Sequence, residues 1–261
     1  MLTYILSIDT PSWCDFSLTV LVQKLSIDQR QNMRTIILNE APKAISRPEC
    51  HARGFIPFCL ENSKLHIERR ISLSANFLPE GNSSSAWDMQ GLFRVTIPWI
   101  EAALELSMFE MPTHSFILVI DGETTRASEA WKVFKHAAAL QEAHLVYLRL
   151  NAIQAPSQSF IPCYSSCWSF PNNFPKMIRD ITEGTSVVKF DGDVGEVWDS
   201  DVFLYERRNW TLEQWGQDWL DNVYSRELFK KIFRQTADRY HQAIKTTRRF
   251  VRVVESSSTE T

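Results

Sequence analysis

Two acidic turns that follow apolar segments are the residues of this sequence best placed to do chemistry. Asp191 and Asp193 come directly after the apolar run 186–190, and Asp121 comes directly after the apolar run 115–120. Carboxylates at the carboxyl end of a buried strand can hold Mg²⁺ or supply a nucleophile. We therefore expect that the two turns, if their strands are neighbours, could bind a cation at one sheet edge. The structural alternative is that both strands end in ordinary Asp-Gly turns.

The turn at residues 191–196 resembles the first motif of haloacid-dehalogenase-type phosphatases, which place DxDxT or DxDxV after an apolar strand. The resemblance implies a metal-dependent hydrolase in which Asp191 and Asp193 hold the metal and attack the substrate. This sequence departs from the motif at the fifth position, where Gly195 stands instead of Thr or Val. The motif also lies late in the chain. A metal-dependent hydrolase is therefore kept as the alternative function.

Cysteine and histidine residues offer a second possible metal site. Cys163 and Cys167 are separated by three residues, and the pair Cys50-His51 precedes Cys59 by a longer interval. Structural zinc sites use closer pairs, typically CxxC. Cys59 lies in the apolar stretch FIPFCL, and buried free cysteine commonly packs as a small hydrophobic residue. We therefore predict packing rather than zinc binding, and no metal or cofactor is assigned.

Short catalytic signatures are missing from the sequence. There is no GxSxG, HExxH, GxGxxG or GxxxxGK[ST] motif, and the chain contains only eight glycines from which a phosphate-binding loop could be built. This pattern favours a binding protein over an enzyme, so no catalytic residue is assigned.

The stretch 226–252 is strongly basic. It carries nine Lys or Arg residues against Glu227 and Asp238, which leaves a net charge of +7. Apolar residues recur within it at helical spacing, so it is predicted to be an amphipathic helix. Nucleic-acid binding through this helix is a second alternative function, although docking on the acidic remainder of the chain, at −10, explains the same charge.

Helical and extended patterns alternate along the chain. Strands are predicted to start near residues 33, 65, 115, 144 and 186, and residues 151–175 are predicted to form a long loop. A helix is predicted to begin at Pro98, and a second over 125–141. Gly184 is expected to end a short helix, and Ser26/Gln29 and Thr211/Gln214 fit capping boxes. Gly54 and Pro57 are expected to break a helix over 49–62.

Strands separated by helices predict an α/β fold with a mostly parallel open sheet. A degenerate leucine-rich-repeat-like solenoid is the alternative, since either arrangement accommodates one strand and one helix per unit. We expect an α/β domain over 1–206, a C-terminal helical segment over 207–254 and a disordered tail over 255–261.

Bulk composition points to a globular chain. The 261 residues are 44% hydrophobic and carry a formal net charge of −3, which excludes a global field that recruits nucleic acid or membrane. Five scattered cysteines argue against a disulfide scaffold. Neither a signal peptide nor an apolar stretch of membrane-spanning length is recognised, so a cytoplasmic or nuclear location is expected.

The texture of MRTIILNEAPKAISRPECHARGFIPFCLENSKLHIERR, followed by VVKFDGDVGEVWD and ERRNWTLEQW, resembles fungal proteins with an F-box-like N-terminal segment and degenerate strand–helix units. The resemblance covers about residues 18–220. The LPxE[IL]-type helix of an F-box is missing, so the resemblance extends only to the units that follow it. It implies a non-catalytic protein-interaction module, the recognition part of an F-box-like protein, whose partner is another protein and which carries over no catalytic residues.

Overall fold

One parallel sheet organises the chain. The computed structural model describes residues 2–8, 22–40, 48–73, 89–122, 125–151 and 170–225, together with residue 227. Its five strands are β1 (Leu2–Ile8), β2 (Met33–Glu40), β3 (His66–Ser72), β4 (Phe116–Asp121) and β5 (Val188–Asp191). The strands lie in the order β1-β2-β3-β4-β5, and every neighbouring pair is parallel. The predicted α/β class with a parallel open sheet is confirmed.

Helices connect and follow these strands. The α-helices are α1 (Ile27–Asn32), α2 (Ile56–Glu61), α3 (Met89–Glu105), α4 (Thr125–Leu150), α5 (Phe174–Thr182), α6 (Ser200–Glu206) and α7 (Leu212–Asp218). Two 3₁₀ helices, Pro48–Phe55 and Leu106–Phe109, precede α2 and follow α3. A π-helical turn, Trp219–Val223, follows α7.

One predicted strand and one predicted helix start are wrong, and β1 is not among the predicted strands. Residues 144–150 do not form a strand but continue α4, because residues 125–150 contain neither glycine nor proline to end the helix. Pro98 does not start α3 but lies inside it, nine residues after Met89. The helix tolerates the missing N–H and the steric demand of the ring at this position.

Local capping signals are confirmed where the structure describes them. Ser26 and Gln29 form a reciprocal capping box at α1, and Thr211 and Gln214 form another at α7. Gly184 adopts φ +73°, and its N–H donates to the carbonyl of Ile181 at 3.2 Å. The break predicted around Gly54 and Pro57 separates the first 3₁₀ helix from α2.

The two faces of the sheet differ in burial. In parallel pairing, residues in register project to the same face, so the register defines an inner row Leu38–Arg69–Leu118–Val188 and a second inner row Ile71–Ile120–Phe190. These side chains are buried. The alternate residues lie on the opposite side of the sheet, here called the open face, and most of their side chains are partly exposed. Its members with described side chains are Thr35, Ile37, Asn39, His66, Glu68, Arg70, Ser72, Ile117, Val119, Asp121, Lys189 and Asp191.

Aromatic rings fill the space between the inner face and the helices. Phe190 of β5 stacks on Trp131 of α4 with ring centroids 4.6 Å apart and an interplanar angle of 8°. Phe134, one turn further along α4, contacts Phe93 of α3 at 4.3 Å. Each such pair contributes about 0.5–1.5 kcal/mol beyond its area burial. This packing fixes α3 and α4 against the same side of the sheet.

Arg69 is a charged residue on the inner face. Its side chain is only 1% exposed, and its guanidinium carbon lies 4.3 Å from the ring centroid of Trp99 in α3. A guanidinium over an indole face is a favourable cation–π arrangement, strengthened by desolvation. Arg69 is the charged side chain that β3 places on the inner face, and it is buried against the aromatic core.

The helices after β5 pack back onto α4. Trp215 of α7 stacks on His144 of α4, with centroids 5.0 Å apart and an angle of 6°. Trp219 contacts Phe170 at 5.5 Å, and both side chains are buried. The described part of the predicted C-terminal helical segment thus belongs to the same hydrophobic core as the sheet.

Candidate functional site

The two acidic turns predicted from the sequence do meet at the carboxyl edge of the sheet. Asp121 and Asp191 are register partners on β4 and β5, and the N–H of Gly122 donates to the carbonyl of Asp191 at 3.0 Å. A Cβ on Gly122 would lie 2.5 Å from the Phe190 ring and 2.7 Å from that carbonyl oxygen. Glycine is required because the two turns close tightly over Phe190, which gives the Asp-Gly pairs a packing role.

Arg70 supplies the positive charge at this edge. Its guanidinium lies 3.1 Å from Asp191 Oδ2 and 2.5 Å from Glu68 Oε1. The hydrogen bond with Glu68 is the largest of the effects that raise the pKa of Arg70. Since neighbouring strands lie about 4.8 Å apart, the Arg70 side chain spans β4 to reach β5. Val119 of β4, in register with Arg70, is only 6% exposed although it belongs to the open face.

Asp193 stabilises its own turn. Its Oδ1 accepts a hydrogen bond from the N–H of Gly195 at 2.9 Å, and Gly195 adopts φ +62°. Lys135 of α4 donates to the carbonyl of Glu196 at 3.3 Å, and burial lowers the pKa of Lys135. Among the residues described, no group of three or more His, Cys, Asp or Glu side chains is arranged to hold a metal ion. The hydrolase hypothesis gains no support from this geometry.

The cysteine residues do not assemble into a described site. Cys59 of α2 is fully buried, and burial raises the pKa of its thiol to about 12, so the thiolate that binds metal is disfavoured. Cys50 and His51 lie in the 3₁₀ helix Pro48–Phe55, but their side chains lie outside the described residues, as do Cys163 and Cys167.

Sequence reasoning missed a polar cluster centred on Glu142 of α4. Glu142 Oε2 accepts hydrogen bonds from Arg179 at 2.8 Å, from the indole of Trp198 at 2.6 Å and from the hydroxyl of Ser200. Burial opposes ionisation, but these three donors outweigh it and lower the pKa of Glu142. The cluster ties α5 and the start of α6 to α4. Its members are scattered over 58 residues, so no local motif indicates it.

A second missed cluster surrounds Asp218 of α7, which is 8% exposed. Asn222 donates to Asp218 at 2.6 Å, and His136 Nε2 of α4 lies 3.5 Å from its second oxygen. Burial opposes ionisation of Asp218, but the nearby His136 ring and the hydrogen bond from Asn222 lower its pKa. Arg207 lies over the rings of Phe203 and Trp210, at 3.6 and 4.8 Å from their centroids. Both clusters connect helices, because their groups come from α4, from α5 and from the segments after β5.

The open face is the extended surface that remains. Apolar Ile37 and Ile117 are partly exposed on it, and the exposed Asn39 and Lys189 lie in the same row as Arg70. The face therefore combines partly exposed apolar side chains with an arginine held between two carboxylates.

The predicted basic helix, 226–252, lies outside the described residues except for Glu227. Within the described part of the chain, no helix has the length and apolar character needed to cross a bilayer. Comparison with family models, with curated proteins and with solved structures gives no match.

Proposed function

We propose that this chain is a non-catalytic protein-interaction module, the recognition part of an F-box-like architecture, and that it binds a protein partner on the open face of its sheet. The observation that carries the proposal is the strand order. Each strand follows its predecessor in space as in sequence, and crossovers between parallel strands are almost always right-handed. Successive helices then fall on one face and leave the other for a partner.

The same order speaks against a nucleotide- or substrate-binding crevice. In doubly wound α/β enzymes, the crevice opens at the carboxyl ends of the strands, where the strand order reverses. In the described sheet the order never reverses. The acidic turns at that edge are instead closed by Gly122 and Gly192 packing over Phe190. A hydrolase site at residues 191–196 therefore has no cleft of this kind beside it.

The chemistry of the open face suits a protein partner better than a small ligand. Its charges alternate in sign, with Glu68, Arg70 and Asp191 in one ion-pair network and the exposed Lys189 beside it. Such a surface is neither uniformly basic, as nucleic-acid binding requires, nor concave and apolar, as small-molecule sites are.

Affinity capture with matched surface variants tests this proposal. Tagged full-length chain is exposed to cell lysate with and without nuclease, and captured proteins are identified by mass spectrometry. The double variant Asn39→Arg/Lys189→Glu changes two exposed residues of the open face. The matched control, Lys64→Glu/Asn172→Arg, makes the same changes at exposed residues outside it.

A protein captured by the wild type and the control, but at least about tenfold depleted with the open-face variant, is the expected result. Equal capture by all three chains would contradict binding at the open face. Capture that disappears with nuclease would instead indicate nucleic acid. A ubiquitin-ligase adaptor among the captured proteins would support the F-box-like assignment.

The metal-dependent hydrolase is distinguished by a separate measurement. A metal that binds at 100 times its dissociation constant stabilises the folded state by about 2.7 kcal/mol. Because Arg70 already pairs with Asp191, we expect no shift of the melting temperature with Mg²⁺ or Mn²⁺. A shift that is lost in Asp191→Asn would restore the hydrolase hypothesis.

A further inference from the structure

One lysine amine is held against the turn that follows β5. The Nζ of Lys135 in α4 donates to the carbonyl of Glu196 at 3.3 Å. A Cβ built on Gly195 would lie 2.5 Å from the same Nζ, and Gly195 adopts φ +62°. The amine therefore occupies the space that a side chain at residue 195 would fill.

Lys135 differs from the other described lysines in burial. Its side chain is partly buried, whereas the other lysines with described side chains are exposed. These are Lys24, Lys64, Lys132, Lys176 and Lys189. Partial burial removes water from around the amine while the exposed Gly195 and Glu196 beside it keep the turn at the surface. A small molecule can therefore reach an amine that is only partly hydrated.

The charges around Lys135 are mixed. Among the described residues, its hydrogen-bond partner is a neutral carbonyl, whereas Lys132, one turn earlier on α4, pairs with Glu129 at 2.7 Å. Asp193 and Glu196 favour the charged form of the Lys135 amine, and Lys132 disfavours it. Burial is the largest effect and also disfavours the charge, so the pKa of Lys135 is lowered.

An amine in these surroundings is suited to attack a carbonyl carbon. Only the neutral amine carries the reactive lone pair, and proteins favour this form by desolvation or by a neighbouring cation. With an aldehyde, the lone pair attacks the carbonyl carbon to give a carbinolamine, which loses water to give an imine. Both hydrogens of the neutral amine leave with the aldehyde oxygen as that water, so no oxidant or second reactant is consumed.

We propose that Lys135 is a site of covalent modification by small aldehydes, which form an imine with its amine and release the turn at Gly195 and Glu196 from α4. The release follows because a neutral imine nitrogen carries no hydrogen and cannot donate to the Glu196 carbonyl. The proposal does not depend on what the open face binds. Its test needs no partner protein, so failure of either proposal leaves the other standing.

Propanal with cyanoborohydride is the probe. Cyanoborohydride reduces the imine to a stable propyl-lysine, and peptide mapping by mass spectrometry gives the initial rate at each lysine of the full chain at pH 7.5. The exposed Lys189 and added Nα-acetyl-lysine serve as references in the same reaction. The variants are Lys132→Gln and Asp193→Asn. Asparagine can still accept the hydrogen bond from Gly195 that Asp193 accepts, and circular dichroism confirms that both variants fold.

We expect Lys135 to react at least about threefold faster than Lys189, because the neutral fraction of an amine rises about tenfold for each unit by which its pKa falls. Lys132→Gln is expected to slow Lys135 by about twofold, because a neighbouring cation is lost, and Asp193→Asn to speed it by about twofold, because a carboxylate is lost. Both references should keep their rates. A rate at Lys135 no greater than at Lys189, or variants that do not shift it in opposite directions, would overturn the proposal.

Discussion

His144 makes the stability of this protein depend on pH in a way that can be calculated. The imidazole is 4% exposed and stacks on Trp215, and burial lowers its pKa from 6.5 to about 4. Above pH 6.5 the ring is neutral in both the folded and unfolded states. Below that pH the unfolded chain takes up a proton that the folded chain resists until about pH 4. The stability that this ring contributes is therefore present above pH 6.5 and is lost as the pH falls toward 4.

The magnitude follows from linkage. A pKa difference of this size costs about 2.5 kcal/mol of unfolding free energy between pH 7.5 and pH 4.5, at about 1.4 kcal/mol per pH unit over the steep part. This is a large fraction of the stability of a typical domain. Carboxylates that titrate in the same range also contribute to the pH dependence, so the His144 contribution must be isolated by substitution.

His144→Phe keeps a ring against Trp215 and removes the titrating group, and His144→Leu repeats the test without the ring. Urea unfolding of the wild type and both variants at pH 7.5, 6.5, 5.5 and 4.5 gives the free energy of unfolding at each pH. We expect the wild type to lose about 2.5 kcal/mol more than either variant over this range. Parallel curves for all three proteins would refute the assignment of a depressed pKa to His144.

Two further predictions concern the contacts that hold the helices and turns. Glu142→Gln is expected to lower the free energy of unfolding by about 1–3 kcal/mol, because three donors lose a charged acceptor; Glu129→Gln, an exposed pair with Lys132 on the same helix, should change it by less than about 1 kcal/mol. The urea midpoints of unfolding of the two variants are compared. Equal midpoints would show that Glu142 stabilises the fold no more than the exposed Glu129 does. Gly122→Ala is expected to cost about 1–3 kcal/mol by forcing a Cβ into Phe190 and the Asp191 carbonyl. The measurement is the melting temperature of Gly122→Ala, with Lys189→Ala, an exposed change on the neighbouring strand, as the control. A Gly122→Ala melting temperature equal to that of the wild type would show that the two turns can separate without loss of stability.

Sequence patterns predicted the sheet well where one face of a strand is buried. Leu65, Ile67, Ile71 and Leu73 occupy alternate positions along β3 and the residues that flank it, and all four are buried. The prediction of a strand failed for residues 144–150, a short window rich in apolar residues. There the outcome is decided by a helix already propagating from Thr125 and by the tertiary contact of His144 with Trp215. A short window contains neither of these.

The candidate site was predictable only in part. That the Asp121 and Asp191 turns meet follows from two strands being neighbours, and the sequence suggested it. That an arginine from a third strand would complete the edge does not follow from any local pattern, because Arg70 is 121 residues from Asp191. The Glu142 cluster was missed for the same reason. Groups that converge only through the fold leave no spacing signal along the chain.

The order of the strands also has a consequence for how such a chain can change over generations. Because each strand adjoins only the strands before and after it in sequence, the backbone of the sheet is a row of strands with nearest-neighbour pairing. A strand–helix unit gained or lost between β2 and β4 would move the neighbouring strands along the sheet, while the order and the connections of the other strands would stay the same. Proteins on this plan can therefore differ in length by whole units while their remaining surfaces keep their shape.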